Sequence, residues 1–138
     1  MAFTHGKDAV FWLDSTVPTL TNISAYVDSV EGLPGEVELS DVSALGDEGH
    51  KNIPGLENAS ISVSGHWDST LDALFGAPSA WKTATRTIEF GPAGGGGGSV
   101  KYTAECWITN YAVSAAVADK VSWSATLQVD GQVTRTTF

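Results

Sequence analysis

Residues 120–131 read KVSWSATLQVDG, and their alternation decides the fold class. Val121, Trp123, Ala125, Leu127 and Val129 fall on one side, and Ser122, Ser124, Thr126, Gln128 and Asp130 on the other. Successive side chains of an extended chain point to opposite faces. This period of two therefore marks a strand of about nine residues, apolar inside and small-polar outside.

The same design recurs outward from there. ASISVSGHW (59–67) sets Ile61, Val63, Gly65 and Trp67 against Ser60, Ser62, Ser64 and His66. RTIEF (86–90) sets Arg86, Ile88 and Phe90 against Thr87 and Glu89. VKYTAECWITNYAV (100–113) carries aromatics on both faces, Tyr102 against Trp107 and Tyr111, as a strand wet on neither side would. DAVFWLD (8–14) and TNISAYVDSVEG (21–32) are two further candidates. One helix is signalled over 68–76. Asp68 or Ser69 can cap its first N–H groups, Leu71, Leu74 and Phe75 form one stripe, Gly76 closes it and Pro78 prevents continuation. At about two turns, it needs the sheet to hold it.

Residues 31–58 depart from this pattern. They hold seven carboxylates (Glu31, Glu36, Glu38, Asp41, Asp47, Glu48, Glu57) against Lys51, a balance of −6 within a chain of net charge −9. EVELSDVSAL can pair as a strand; the rest is too long and too rich in Gly and Pro for an ordinary connection. A purely solvated loop has no need of Val42, Leu45, Ile53 and Leu56. The segment reads as an acidic arm packing on something else, such as another subunit. The expected contact residues are Asp41, Val42, Leu45, Asp47, Glu48, His50, Lys51, Ile53, Pro54 and Leu56.

Composition narrows the function classes. At 138 residues and 42% apolar content, the chain fits a single domain, 1–138, with a substantial core. Its seven Lys and Arg are scattered, and a surface of this charge repels nucleic acid rather than gripping it. A single cysteine, Cys106, permits neither an internal disulfide nor a thiolate cluster, and reads as a buried, inert thiol. The N-terminus lacks the pattern of a signal peptide, and no apolar stretch reaches membrane-span length, so no membrane partner is expected.

Three stretches bear residues suited to chemistry. The glycine run of GPAGGGGGSV (91–100) leads into a strand rather than a helix, and Lys101 is not followed by Ser or Thr, so it is no phosphate cradle. It reads instead as a hairpin loop, 91–99, that projects into solvent. Asp41, Asp47, Glu48 and His50 lack calcium-loop spacing. His66 and Asp68 share a strand face, but no nucleophile is nominated beside them. No cofactor or metal is called for, and no catalytic residue stands out.

KDAVFWLD, IPGLENASISVSGHWD, LDALFG and DKVSWSATLQVDGQVTR, taken in this order, resemble the major tail tube proteins of long-tailed bacteriophages. The likeness runs nearly end to end. It implies a mainly β fold: two packed antiparallel sheets forming a barrel or sandwich, with one short flanking helix and a long inter-strand loop. It further implies a non-enzymatic subunit whose six-membered rings stack into a hollow tube, the conduit for DNA ejection. The partners would be other copies of itself, the tape measure protein, the tail tip and the terminator, and DNA would pass without specific binding. The location would be the virion, after assembly in the host cytoplasm. A type VI secretion-like tube subunit shares this architecture. Two other readings stand beside it: a carbohydrate-binding sandwich, for which the five Trp and serine-rich faces argue, and a small hydrolase using His66 and Asp68.

Overall fold

The short link between the second and third strands dictates how the sheet is bent. In the computed structural model, which describes residues 3–14 and 20–138, the chain runs through β1 (Val10–Asp14), β2 (Leu20–Asn22) and β3 (Ser29–Glu31). It continues through β4 (Glu36–Asp41), β5 (Asn52–Asn58), β6 (Ser60–His66), α1 (Ser69–Phe75) and α2 (Pro78–Trp81). Last come β7 (Arg86–Gly91), β8 (Val100–Ser114), β9 (Ser122–Val129) and β10 (Thr134–Thr137). Eight strands form one antiparallel sheet in the order β2-β1-β7-β8-β9-β6-β3, with β10 paired to the start of β8; β4 and β5 form a sheet of their own. Neighbours in sequence, β2 and β3, thus lie at opposite ends of the large sheet.

Laid flat at the usual strand spacing, those ends would stand roughly 30 Å apart. The residues between them, part of which form a 3₁₀ turn (Ser24–Tyr26), reach about 20 Å. The sheet therefore folds over on itself, and the link is stitched to both halves. Ile23 N–H donates to Phe11 O at 3.0 Å, and Asp28 N–H to Ser64 O at 2.9 Å. Trp123 Nε1 donates to Tyr26 O at 2.8 Å. Gly65 makes this approach possible, because a Cβ there would stand 1.9 Å from Tyr26 O. The result is sandwich-like and open rather than a closed barrel.

The alternating segments are strands with the expected faces. Ile61, Val63, Trp123, Ala125, Leu127 and Val129 are buried in one core with Phe11, Leu13, Ile88 and Cys106. Val121 is the exception: the β6–β9 pairing ends at His66↔Ser122, which leaves it exposed just outside the strand. The expected strand over 21–32 is broken by the 3₁₀ turn into parts of β2 and β3. The aromatics of β8 do not mark burial on both sides: Trp107 is exposed, and Tyr111 owes its inward turn to a bulge between Ile108 and Asn110. Before it Ala104, Cys106 and Ile108 face the core; after it the parity flips and Tyr111 turns inward, while Glu105 and Trp107 stay outside.

The helix forms as its caps predict. Asp68 accepts from Thr70 N–H at 2.8 Å, Gly76 N–H closes on Asp72 O, and Leu71 and Phe75 are buried. Two polar devices tie α1 to the sheet. Arg86, 1% exposed, donates from Nη1 to Asp14 O (3.1 Å) and Leu74 O (2.8 Å), and from Nη2 to Phe75 O (3.1 Å). It thereby satisfies carbonyls at the helix C-terminus that have no partner within the helix. Tyr111 stacks on Phe75 with ring centroids 4.1 Å apart, accepts from Trp67 Nε1 and donates to Asp72 Oδ1. Burial and that bond to Asp72 push the Tyr111 phenol up to about 12.

Arg86→Met removes three charge-assisted bonds and leaves the buried Asp14 without its nearby cation. The expected loss is about 3–5 kcal/mol in urea unfolding followed by Trp fluorescence.

Candidate assembly surfaces

The acidic arm is a β-hairpin, a regular structure where a long loop was expected. β4 and β5 pair with Leu39 opposite Pro54, Ser40 opposite Ile53 and Asp41 opposite Asn52, with a bulge near Glu38. Every residue of both strands is exposed. Because Leu39 and Ile53 sit at successive pairs, they turn to opposite faces, and they are 61% and 53% exposed. An isolated two-stranded hairpin is marginal in water, and this one bares aliphatics on both faces. Its root is fixed by close packing: Gly32, at φ +106°, leaves no room for a Cβ against Ser60 O.

The tip is built by short polar bonds. Asp41 accepts from Ser43 N–H at 2.8 Å and meets His50 Nδ1 at 3.2 Å. Asp47 accepts from Ala44 N–H at 2.7 Å and pairs with Lys51 Nζ at 3.2 Å. Lys51 N–H donates to Ser43 Oγ, and Val42 N–H to Lys51 O, both at 2.8 Å. Together these present Leu45 with no contact at all, fully exposed at the apex. All ten arm residues singled out in the sequence lie on this hairpin and its tip. Of the acids that lack calcium-loop spacing, Asp41 is engaged by the Ser43 amide and His50, and Asp47 by the Ala44 amide and Lys51.

The large sheet offers a second surface. β8 is much longer than β7, whose pairing with it stops at Arg86↔Cys106. Beyond that point β8 pairs with β9 on one side, and no described strand covers the other side of residues 107–114. Trp107 (39%) and Val113 (47%) are exposed along this stretch. At the sheet's end β3 pairs with β6 alone. Such half-paired strands are templates for another chain.

The outer faces of the two halves differ. Around β6 and β9, Ser62, Ser64, Ser124 and Thr126 line a shallow hollow of about 240 Å³. Around β7 and the start of β8, Lys101 bonds Glu89 at 3.2 Å and lies over the Phe138 ring. The glycine loop between β7 and β8 is tied to the same corner, since Gly98 N–H donates to Phe138 O and Phe138 N–H to Ser99 O. Gly95 to Gly98 are exposed.

The remaining chemical candidates separate. His66 is exposed at the end of β6, whereas Asp68 is engaged as the cap of α1. Cys106 is fully buried, and burial followed by the Glu105 charge pushes its thiol up to about 12. No described helix is long and apolar enough to cross a membrane. The sequence reading missed Arg86 as a helix anchor and residues 107–114 as a half-free edge. The inward parity of Arg86 in RTIEF was the available signal for the first.

No protein-family profile and no curated protein matches the chain. Solved structures do. A chain from the tail of an empty gene transfer agent (GTA) particle, refined with C6 symmetry, superposes with a TM-score of 0.77 at 17% identity, covering 97% of this chain and 99% of that one. The SPP1 tail tube gives 0.74 at 18% identity, over 99% of this chain and 80% of that one. A chain of the sheath–tube complex of an extracellular contractile injection system gives 0.66 at 13%, over 99% and 93%. The chain has the tail tube fold. The family resemblance read from the sequence agrees with this in fold.

Asp41 and Asp47 lie below the ordinary aspartate value of 3.8, Asp41 chiefly through its bonds to Ser43 and Asp47 through the Ala44 amide and Lys51. A depressed carboxyl stabilises the ordered tip above the unfolded value, and that contribution fades as pH falls through the folded value. The Ser43 and Ala44 amide resonances should titrate with midpoints below 3.8 in NMR spectra.

Proposed function

We propose that the chain is a structural subunit that assembles into hexameric rings, stacked into the hollow tube of a phage tail through which DNA leaves the capsid. The observation that carries this reading is the hairpin with exposed aliphatics on both faces, projecting from a tail tube fold. Such a hairpin gains its burial from a neighbour. The sixfold count follows the C6 symmetry of the gene transfer agent tail. Within a ring, the half-free stretch of β8 (residues 107–114) and the free edge of β3 flank the β9–β6 pair on opposite sides, and joining them head to tail between copies covers both. Residues 41–56 make contacts between rings.

The charge supports the conduit role. A net −9 raises the energy of DNA against the wall, and the uncharged hydroxyls of β6 and β9 give it little to hold. The subunit acts in the virion tail after assembly in the host cytoplasm, with the tape measure, tip and terminator proteins as further partners. It performs no catalysis. The carbohydrate reading loses its main support, because Trp107 alone of the five Trp is exposed.

Concentrated protein should form rings or tubes in negative-stain electron microscopy. Deleting residues 41–54 should leave a folded chain, with strand-rich circular dichroism and cooperative unfolding, that no longer polymerises. Tubes of normal length from the truncated chain would reduce the arm to a solvated loop.

A further inference from the structure

Where the two halves of the folded sheet approach, between the start of β1 and β3, a groove of about 350 Å³ remains open. Its floor is apolar, with Val10, Phe11, Val30 and Phe90, and its lining holds the carboxylates Glu31 and Asp28. Asp28 already meets Lys120 Nζ at 3.9 Å and accepts from Ser64 Oγ at 3.3 Å, so Glu31 is the main carboxylate on offer. The arm begins directly beyond Glu31 at Gly32. At the arm's far end Leu45 is fully exposed, and Lys51 stands beside it, bonded through its backbone to Val42 and Ser43.

The geometry points to this groove as the receptor for the hairpin tip of a second copy, with Leu45 entering the apolar floor and Lys51 meeting Glu31. It rests on the tube reading above and names the docking site that reading leaves open. A copy's own tip is excluded, since the six residues of β4 hold it roughly 20 Å from the arm's root beside the groove. A knob and a socket separated along one molecule make a heterologous contact, which repeats head to tail instead of closing as a pair. Apolar match and charge match point the same way. Lys51 keeps Asp47 as its partner in the free chain, at 3.2 Å, and is 68% exposed, so it can reach a second carboxylate without leaving the first.

The test uses the full-length chain, whose native Cys106 is buried and unreactive. Assembled Leu45→Cys/Val30→Cys protein under a mild oxidant should give a ladder of disulfide-linked copies on a non-reducing gel. Leu45→Cys/Val37→Cys, which places the second thiol in the other groove at the arm's root, should give none. Leu45→Ala should raise the concentration needed for assembly about tenfold or more. Lys51→Glu should raise it as well, and adding Glu31→Lys should restore it, all with unchanged circular dichroism. Tubes that form without the Leu45–Val30 ladder, or a ladder at Val37 instead, overturn this docking site and leave the tube reading standing. The other candidate occupant is the copy's own Phe3, 92% exposed and three residues before Gly6 of the groove lining. A disulfide within single Phe3→Cys/Val30→Cys copies that shuts out the tip therefore overturns the site too. A chain that stays monomeric at every concentration removes the tube reading and this site together.

Discussion

The link from β2 to β3 is shorter than the sheet it spans, and most of the molecule follows from that. A sheet forced to fold over has one concave face, so the inward residues of every strand meet in one place. Phe11 of β1 and Ile61 of β6 share a core though they belong to opposite ends of the strand order. The link itself is well bonded, with Ile23 fully buried and Asp28 held on β6. Because the two halves approach without pairing, a seam is left rather than a barrel wall, and the seam is the groove between β1 and β3.

The second half of the design lies where β7 stops and β8 goes on. Helix α1 stands at the place a longer β7 would otherwise cover the core, and it needs anchoring because two turns of helix do not persist alone. Arg86, the first residue of β7, supplies that anchor by binding the carbonyls at the end of the helix. The bulge in β8 supplies another by turning Tyr111 inward onto Phe75 and Asp72. Substituting a helix for a strand covers the core but leaves the backbone of residues 107–114 half paired. The half-free edge is thus a by-product of how the core is closed.

What the sequence made legible follows the same division. β6, β9 and α1 could be read because burial on one side imprints a period, and caps mark the helix ends. The arm could be read as something that packs but not as a hairpin, because both its faces carry aliphatics and no single face alternates. β8 misled for a different reason: Trp107 is an exposed aromatic, and one extra residue at the bulge shifts the parity that turns Tyr111 inward, so a period-two reading takes the pair for burial on both sides. The pairing of Arg86 with carbonyls from β1 and α1 depends on contacts 72 and about a dozen residues away, which no local pattern encodes. The tail tube resemblance reached the fold because it drew on the order of segments along the whole chain.

The placement of charge resolves a conflict that such an arm creates. A hairpin with bare aliphatics and open edges invites indiscriminate pairing with other chains. Glu36 and Glu38 interleave with Val37 and Leu39 along β4, and Asp41 ends the strand, so two such strands brought together set acidic residues near acidic residues. Arm-on-arm contact is thereby penalised while contact with an apolar surface elsewhere is not. Lys51 adds the complementary element, one exposed cation at the tip of an otherwise acidic segment. A lone cation discriminates among neutral or acidic surfaces where a wholly acidic arm would only be repelled, so the same few residues deny the wrong partner and favour the right one.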